Sequence, residues 1–194
     1  MKNNSNVKLD DSTYSSTSDS AINVVDIWKE YYENGQVKSE TPLVNGDAHG
    51  ISKSYHDNGE LLAERPFVYG VEHGTRKEYY TSGQLKKEIP YVNGKIHGLS
   101  KEYYISGKLR KETPYVNGEL HGTRKEYYKT GELWIEWPCI NNKGHGIQKE
   151  YYENGQIKEE SRYVLGELIG TNNYDENGKL IIKKWLFDIS TSRI

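Results

Sequence analysis

Five His-Gly dipeptides are the residues of this chain whose type and spacing first invite chemistry. They fall at His49, His73, His97, His121 and His145, each followed by glycine and each 24 residues from the next. A zinc site needs several ligands at about 2.0 to 2.1 Å from one ion. If each period is a β-hairpin, equivalent residues in successive periods lie two strand spacings apart, roughly 10 Å. Such histidines cannot share an ion, and a structural role, packing or bonding a loop carbonyl, is expected for all five.

The other reactive residue types read the same way. Cys139 is the single cysteine, so no internal disulfide can form. It occupies the place held elsewhere by Leu43, Phe67, Tyr91 or Tyr115, which points to a packing side chain. Glutamates such as Glu88 and Glu112 could pose as paired acids. An active site is unique, however, and these recur with the period, as a structural charge ladder does. Lysines recur at Lys29, Lys53, Lys77, Lys101, Lys125 and Lys149, but the neighbouring Glu column offsets the charge an anionic lipid would need. The glycines never cluster into a phosphate-cradling loop. No catalytic residue, cofactor or metal is expected.

These columns imply the element that positions them. A second glycine series, Gly35, Gly59, Gly83, Gly107, Gly131 and Gly155, also steps by 24, and Gly178 follows one residue early. The unit is clearest from Thr75 to Gly98. Lys77 to Tyr80 is followed by a Gly83 turn, then Leu85 to Val92 and a second turn at Asn93-Gly94. Two β-forming segments divided by small polar residues and glycine make a hairpin. Turns so closely spaced leave no room for helices.

The residue before the first-turn glycine is Asn in some units and Ser82, Ser106 or Thr130 in others. Ser and Thr resist positive φ, so a three-residue loop with only glycine left-handed fits every unit. That register sets Tyr79 against Leu85 and Glu78 against Lys86, with Glu30–Lys38, Glu102–Arg110 and Glu150–Lys158 as equivalents. The two-residue alternative pairs Lys77 with Glu88, and charge alone does not choose between them. Prolines at Pro42, Pro66, Pro90, Pro114 and Pro138 mark a strand end, an edge or a bulge, so the second strand is expected to stop nearby.

The predicted fold is therefore all-β: an elongated, single, twisted antiparallel meander of tandem 24-residue hairpins. Residues 27–170 form six units, and 171–194 form a partial seventh with a C-terminal cap of Ile181, Ile182, Trp185, Leu186 and Phe187. Trp28 is expected to help close the other end. Residues 1–26 read as a Ser/Thr/Asn-rich disordered tail, having little to bury. With 34% apolar residues but 17 Tyr, the sheet should be thin, its rings packed and its hydroxyls wet. A net charge of −2 with well-mixed signs argues against nucleic acid. No apolar stretch is long enough for a membrane helix, and no secretory signal is evident. A soluble, cytoplasmic protein is expected.

Specific information must lie where units differ. The fifth departs most, with Trp134, Ile135 and Trp137 where others carry polar residues, and Asn142 in place of glycine. Trp is enriched at binding hot spots, so Trp134, Trp137 and Ile135, with Tyr127 and Tyr128, are the candidate partner-binding residues. The alternative is that the two tryptophans pack across strands.

A unit with Tyr79, Tyr80, Gly83, Leu85 and Lys86, followed by Tyr91, Val92, Asn93, Gly94, His97 and Gly98, resembles the MORN-repeat family in its bacterial variant form. The likeness recurs in register from Trp28 to Trp185. Arrays of this repeat alone resemble YwqK-type antitoxin or immunity proteins. That resemblance implies a protein–protein interaction in which a partner toxin is bound and neutralised. Members elsewhere imply a membrane-lipid scaffold as the alternative. Neither implies catalysis.

Overall fold

The computed structural model describes residues 26–185, which fall into two units, 26–95 and 96–185. Among the described residues there are strands and turns but no helix. Within each unit the strands run antiparallel to their chain neighbours, so the all-β meander is what forms.

The third repeat shows how sequence sets the register. Strands Gly74–Tyr79 and Leu85–Val92 are joined by residues 80–84, in which Tyr80 and Gln84 close a three-residue loop, 81–83. The Tyr80 amide donates to the Gln84 carbonyl at 2.9 Å and the Gly83 amide to the Tyr80 carbonyl at 2.8 Å. Gly83 alone is left-handed in that loop, at φ 86°. Tyr79 pairs with Leu85 as expected, but a bulge follows, and Glu78 pairs with Lys87 and Lys77 with Glu88. Lys86 is the extra residue. The bulge reconciles two readings that the charges left open: the loop has three residues, yet beyond the bulge the register is that of the shorter turn.

The same shift corrects the expected charge pairs at the backbone level. Glu30 pairs with Ser39, Glu102 with Lys111 and Glu150 with Glu159. Side chains still reach across the bulge in two of the three: Arg110 meets Glu102 at 3.3 Å and Lys158 meets Glu150 at 2.7 Å. In the first repeat Ser39 Oγ instead donates to Glu30 at 3.2 Å.

The second turn has two left-handed residues, as at Asn93 (φ 50°) and Gly94 (φ 77°), the type I′ hairpin. Asn142 takes the glycine place at φ 66°, which Asn tolerates. Tyr69 and Leu165 occupy the Asn place at φ 46° and 51°, each at a strain of order 1 kcal/mol or more.

Proline marks a bulge rather than a strand end. The long strands run eight residues, Val37–Val44 and Leu61–Val68 among them, continuing two residues past Pro42 and Pro66. Opposite each proline the returning chain is broken into a two-residue strand, a histidine and a six-residue strand. Leu43 pairs with Ala48 and Glu40 with Lys53, so the four residues 49–52 face the two residues 41–42. The His49 amide donates to the Pro42 carbonyl at 2.9 Å, and His73, His121 and His145 repeat this with Pro66, Pro114 and Pro138. A Cβ on Gly74 would lie 3.0 Å from Pro66 Cγ, and Gly74 sits at φ 115°. The Pro and His-Gly columns are two halves of one device.

The sixth repeat tests that reading internally. Arg162 stands where proline would, and Ile169 where histidine would. There Glu167–Tyr174 is one unbroken strand, and only residues 169–171 face 161–162. The bulge has lost one residue, which is why Gly178 arrives one position early.

Few side chains are buried. Val44, Ala63 and Cys139 are the buried apolar residues among those described, beside Glu72, Thr113 and Ser161. Of the expected C-terminal cap, Ile181 and Ile182 are 61% and 53% exposed among the described residues. Leu186, Phe187, the Trp185 side chain and residues 1–25 of the expected tail lie outside the described residues.

Candidate interaction surface

Alternation along each strand sorts the columns onto two faces, because successive side chains point to opposite sides. Within each unit the lysines stand on one face with the glutamates they pair with and with the first tyrosine of each repeat: Lys29, Lys53 and Lys77 with Glu40, Glu64 and Glu88 in one, Lys101, Lys125 and Lys149 with Glu112, Glu136 and Glu160 in the other. Every repeat carries the same residue in these columns.

This ladder face holds the repeats together. Tyr55 donates its hydroxyl to Glu40 at 2.6 Å, Tyr79 to Glu64 at 2.8 Å, Tyr127 to Glu112 at 2.9 Å and Tyr151 to Glu136 at 3.0 Å. Each bond spans two successive repeats. Lys29 and Lys125 approach Glu40 and Glu136 at 3.4 and 3.6 Å. Burial, and then the adjacent carboxylate, push the phenols of Tyr55, Tyr79, Tyr127 and Tyr151 up to about 12. The Tyr55 bond holds the Glu40 carboxyl below its usual value.

The second tyrosine of each repeat stitches in the other direction. Tyr32, Tyr104, Tyr128 and Tyr152 donate to the backbone carbonyls of Tyr55, Tyr127, Tyr151 and Tyr174 at 2.7, 2.6, 2.6 and 2.9 Å. His56 replaces this tyrosine, and its Nε2 is buried without a hydrogen-bond partner. The column histidines contact the next turn. The amides of Tyr69, Asn117 and Leu165 lie 3.4, 3.3 and 3.4 Å from Nδ1 of His49, His97 and His145.

The repeats differ most on the opposite face, although the ladder-face column Ile27, Ile51, Thr75, Leu99, Thr123, Ile147 also changes. One column of the opposite face reads Trp28, Ser52, Arg76, Ser100, Arg124, Gln148; the column paired with it reads Thr41, Arg65, Ile89, Thr113, Trp137, Ser161. Trp134, Ile135, Trp137 and Tyr128 all lie here. Trp134 donates Nε1 to Glu150 at 3.3 Å, with its ring 5.9 Å from that of Tyr128. Trp137 packs under the Arg124 guanidinium, 5.5 Å from its ring, and over Gly144, where a Cβ would come within 2.8 Å of Nε1. That nitrogen is buried and unpartnered. Arg124 also bonds Glu126. Tyr127 is separated from the rest, on the ladder face.

A charged cluster in the second and third repeats escaped the sequence reading. Glu72, 8% exposed, takes Arg76 at 2.7 and 2.8 Å and Arg65 at 3.3 Å. Burial pushes its carboxyl up, but the bonds from Arg76 and Arg65 outweigh this and leave it lowered. Arg65 and Arg76 also lie over Phe67 and Tyr91, at 5.2 and 4.8 Å. Ala48, Leu120 and Gly144 hold the Glu72 column elsewhere. An acid in a small or apolar column was the signal.

Comparison with known proteins gives one family. The profile of the family described as MORN repeat variant matches residues 27–45, 48–69, 72–93, 96–117, 120–141 and 144–164. No curated protein matches the chain.

Proposed function

The chain belongs to the MORN repeat variant family, and on that premise we propose that it is a non-catalytic repeat protein that binds a protein partner through its variable face. One observation carries the reading: the ladder columns are the same in every repeat, while the columns behind them change from Trp to Ser to Arg. A surface that only joins repeats has no need of such variety, whereas one that matches a particular partner does. Tyr, Trp and Arg, the residue types enriched in interface cores, stand on that face.

The narrowest form of the proposal makes the partner a toxin and this chain its cytoplasmic antitoxin, acting by steric occlusion. It rests on the resemblance of the repeat array. A lipid surface fits less well, because Lys29 and Lys125 spend their charge on Glu40 and Glu136.

Retention of a partner by the immobilised full chain from native lysate tests the proposal. Reversing charge along the variable face, with Arg65→Glu and Arg124→Glu together, should lose the partner, and Thr123→Glu, on the ladder face, should keep it. A toxic partner rescued by co-expression would support the antitoxin form. A harmless partner would remove that form while keeping the binding protein. No retained protein, together with co-sedimentation on anionic vesicles at low salt, would overturn both.

A further inference from the structure

The repeats share one backbone but not one set of side-chain volumes, and on the variable face this leaves two hollows in residues 28–86. The first, about 410 Å³, has hydroxyl residues on its floor, Thr41 bonding Ser52 at 2.7 Å, with Ser39 and Ser54 beside them. Trp28 and Leu62 wall it. The same columns in the fifth and sixth repeats carry Trp137, Gln148, Ile135 and Glu150. The second hollow, about 340 Å³, lies over Ala63 between Leu62 and Lys86. Leu62 and Arg65 line both, so they form the ridge between them.

Resting on the function proposed above, we infer that this pair of hollows is the recognition site, taking a segment of the partner with an acidic side chain between two apolar ones. The acid meets Arg65. That side chain is 46% exposed, stacked on Phe67 and tethered to Glu72. Glu72 is shared with Arg76, and with Lys86 and Glu78 in the same lining three cations face two carboxylates, leaving one positive charge. The other hollow adds Glu30 and Lys38. The Lys38 counterparts Arg110 and Lys158 are paired with Glu102 and Glu150, whereas Glu30 bonds Ser39 instead. A guanidinium held in place before binding loses little freedom when a carboxylate arrives. The apolar neighbours of that acid enter the two hollows, one against Trp28 and Leu62, the other against Leu62 and Ala63.

The experiment is selection of a displayed library of random heptapeptides on the full chain, followed by binding of the enriched peptides to variants. Enriched peptides should carry Asp or Glu flanked by apolar residues. Arg65→Glu should weaken them at least about tenfold. The double substitution Ser39→Ile and Ser52→Gln should do the same, since it copies Ile135 and Gln148 from the chain's own columns and so preserves folding. Thr123→Glu, on the ladder face, should leave binding unchanged. Peptides without an acid, or indifferent to both changes, would overturn the inference, as would a selection that enriches nothing. Peptides lost on Trp134→Ala or Arg124→Glu instead would overturn the site while keeping the variable face as the binding surface.

Discussion

Tyr55 Oη lies 2.6 Å from Glu40 Oε1, a bond that starts in one repeat and ends in the one before it. A 24-residue unit with so few buried apolar residues gains little from a core of its own, and such bonds supply the coupling between neighbours. Tyr55→Phe and Tyr127→Phe should each lower stability by about 1 to 2 kcal/mol, below the usual upper value for a hydrogen bond to a charged group because solvent screens these part-exposed sites. Urea unfolding reads this directly. Unchanged midpoints would mean that the ladder is incidental.

The same phenols predict how stability depends on alkaline pH. Tyr55, Tyr79, Tyr127 and Tyr151 titrate at about 12 when folded, against an unfolded value of about 10. A raised phenol favours the protonated form in the folded state. Its contribution is complete below pH about 10 and is lost as pH rises through about 12. Urea midpoints should therefore fall across that window, and tyrosinate absorbance should appear with unfolding. Tyr79→Phe should blunt the dependence; a flat profile from pH 9 to 12 would contradict it.

His56 is the natural defect in the other series of stitches. Its Nε2 is buried and unpartnered where Tyr32 and Tyr128 donate to the next repeat. Restoring the hydroxyl with His56→Tyr should stabilise the protein by about 1 kcal/mol. Thermal melts of the two forms check it, and a lower melting temperature for the tyrosine form would contradict it.

Gly74 tests the pairing of proline with His-Gly. Gly74→Ala meets both the Pro66 ring at 3.0 Å and a φ of 115°, and should cost about 2 to 3 kcal/mol. Adding Pro66→Ala should recover part of that loss but not all, since the backbone strain stays. Equal melts for the single and double variants would mean the ring contact contributes nothing.

Much of this was legible because repetition averages away local ambiguity. A single Tyr-Tyr-x-x-Gly run is weak, but six in register place turns, strands and both glycine series. Two things were not legible. Opposed charges at several offsets cannot reveal a one-residue bulge, so Glu78 was set against Lys86 when it pairs with Lys87. Residue type points to Trp134 and Trp137 as binding residues and gives no sign of the two hollows. What sets the hollows is smallness, Ser39, Ser52, Ser54 and Ala63 together, and small residues draw notice only once register puts them side by side. Tyr127, a candidate beside Tyr128, lies on the ladder face instead, because strand alternation sends neighbours to opposite faces.

The division of labour between faces is tested most directly by photo-crosslinking. A photoreactive residue placed at position 89 or 100, on the variable face, should capture the partner retained from lysate. The same residue at position 99 or 123, on the ladder face, should capture none. Capture from 99 and 123 with silence at 89 and 100 would contradict the account.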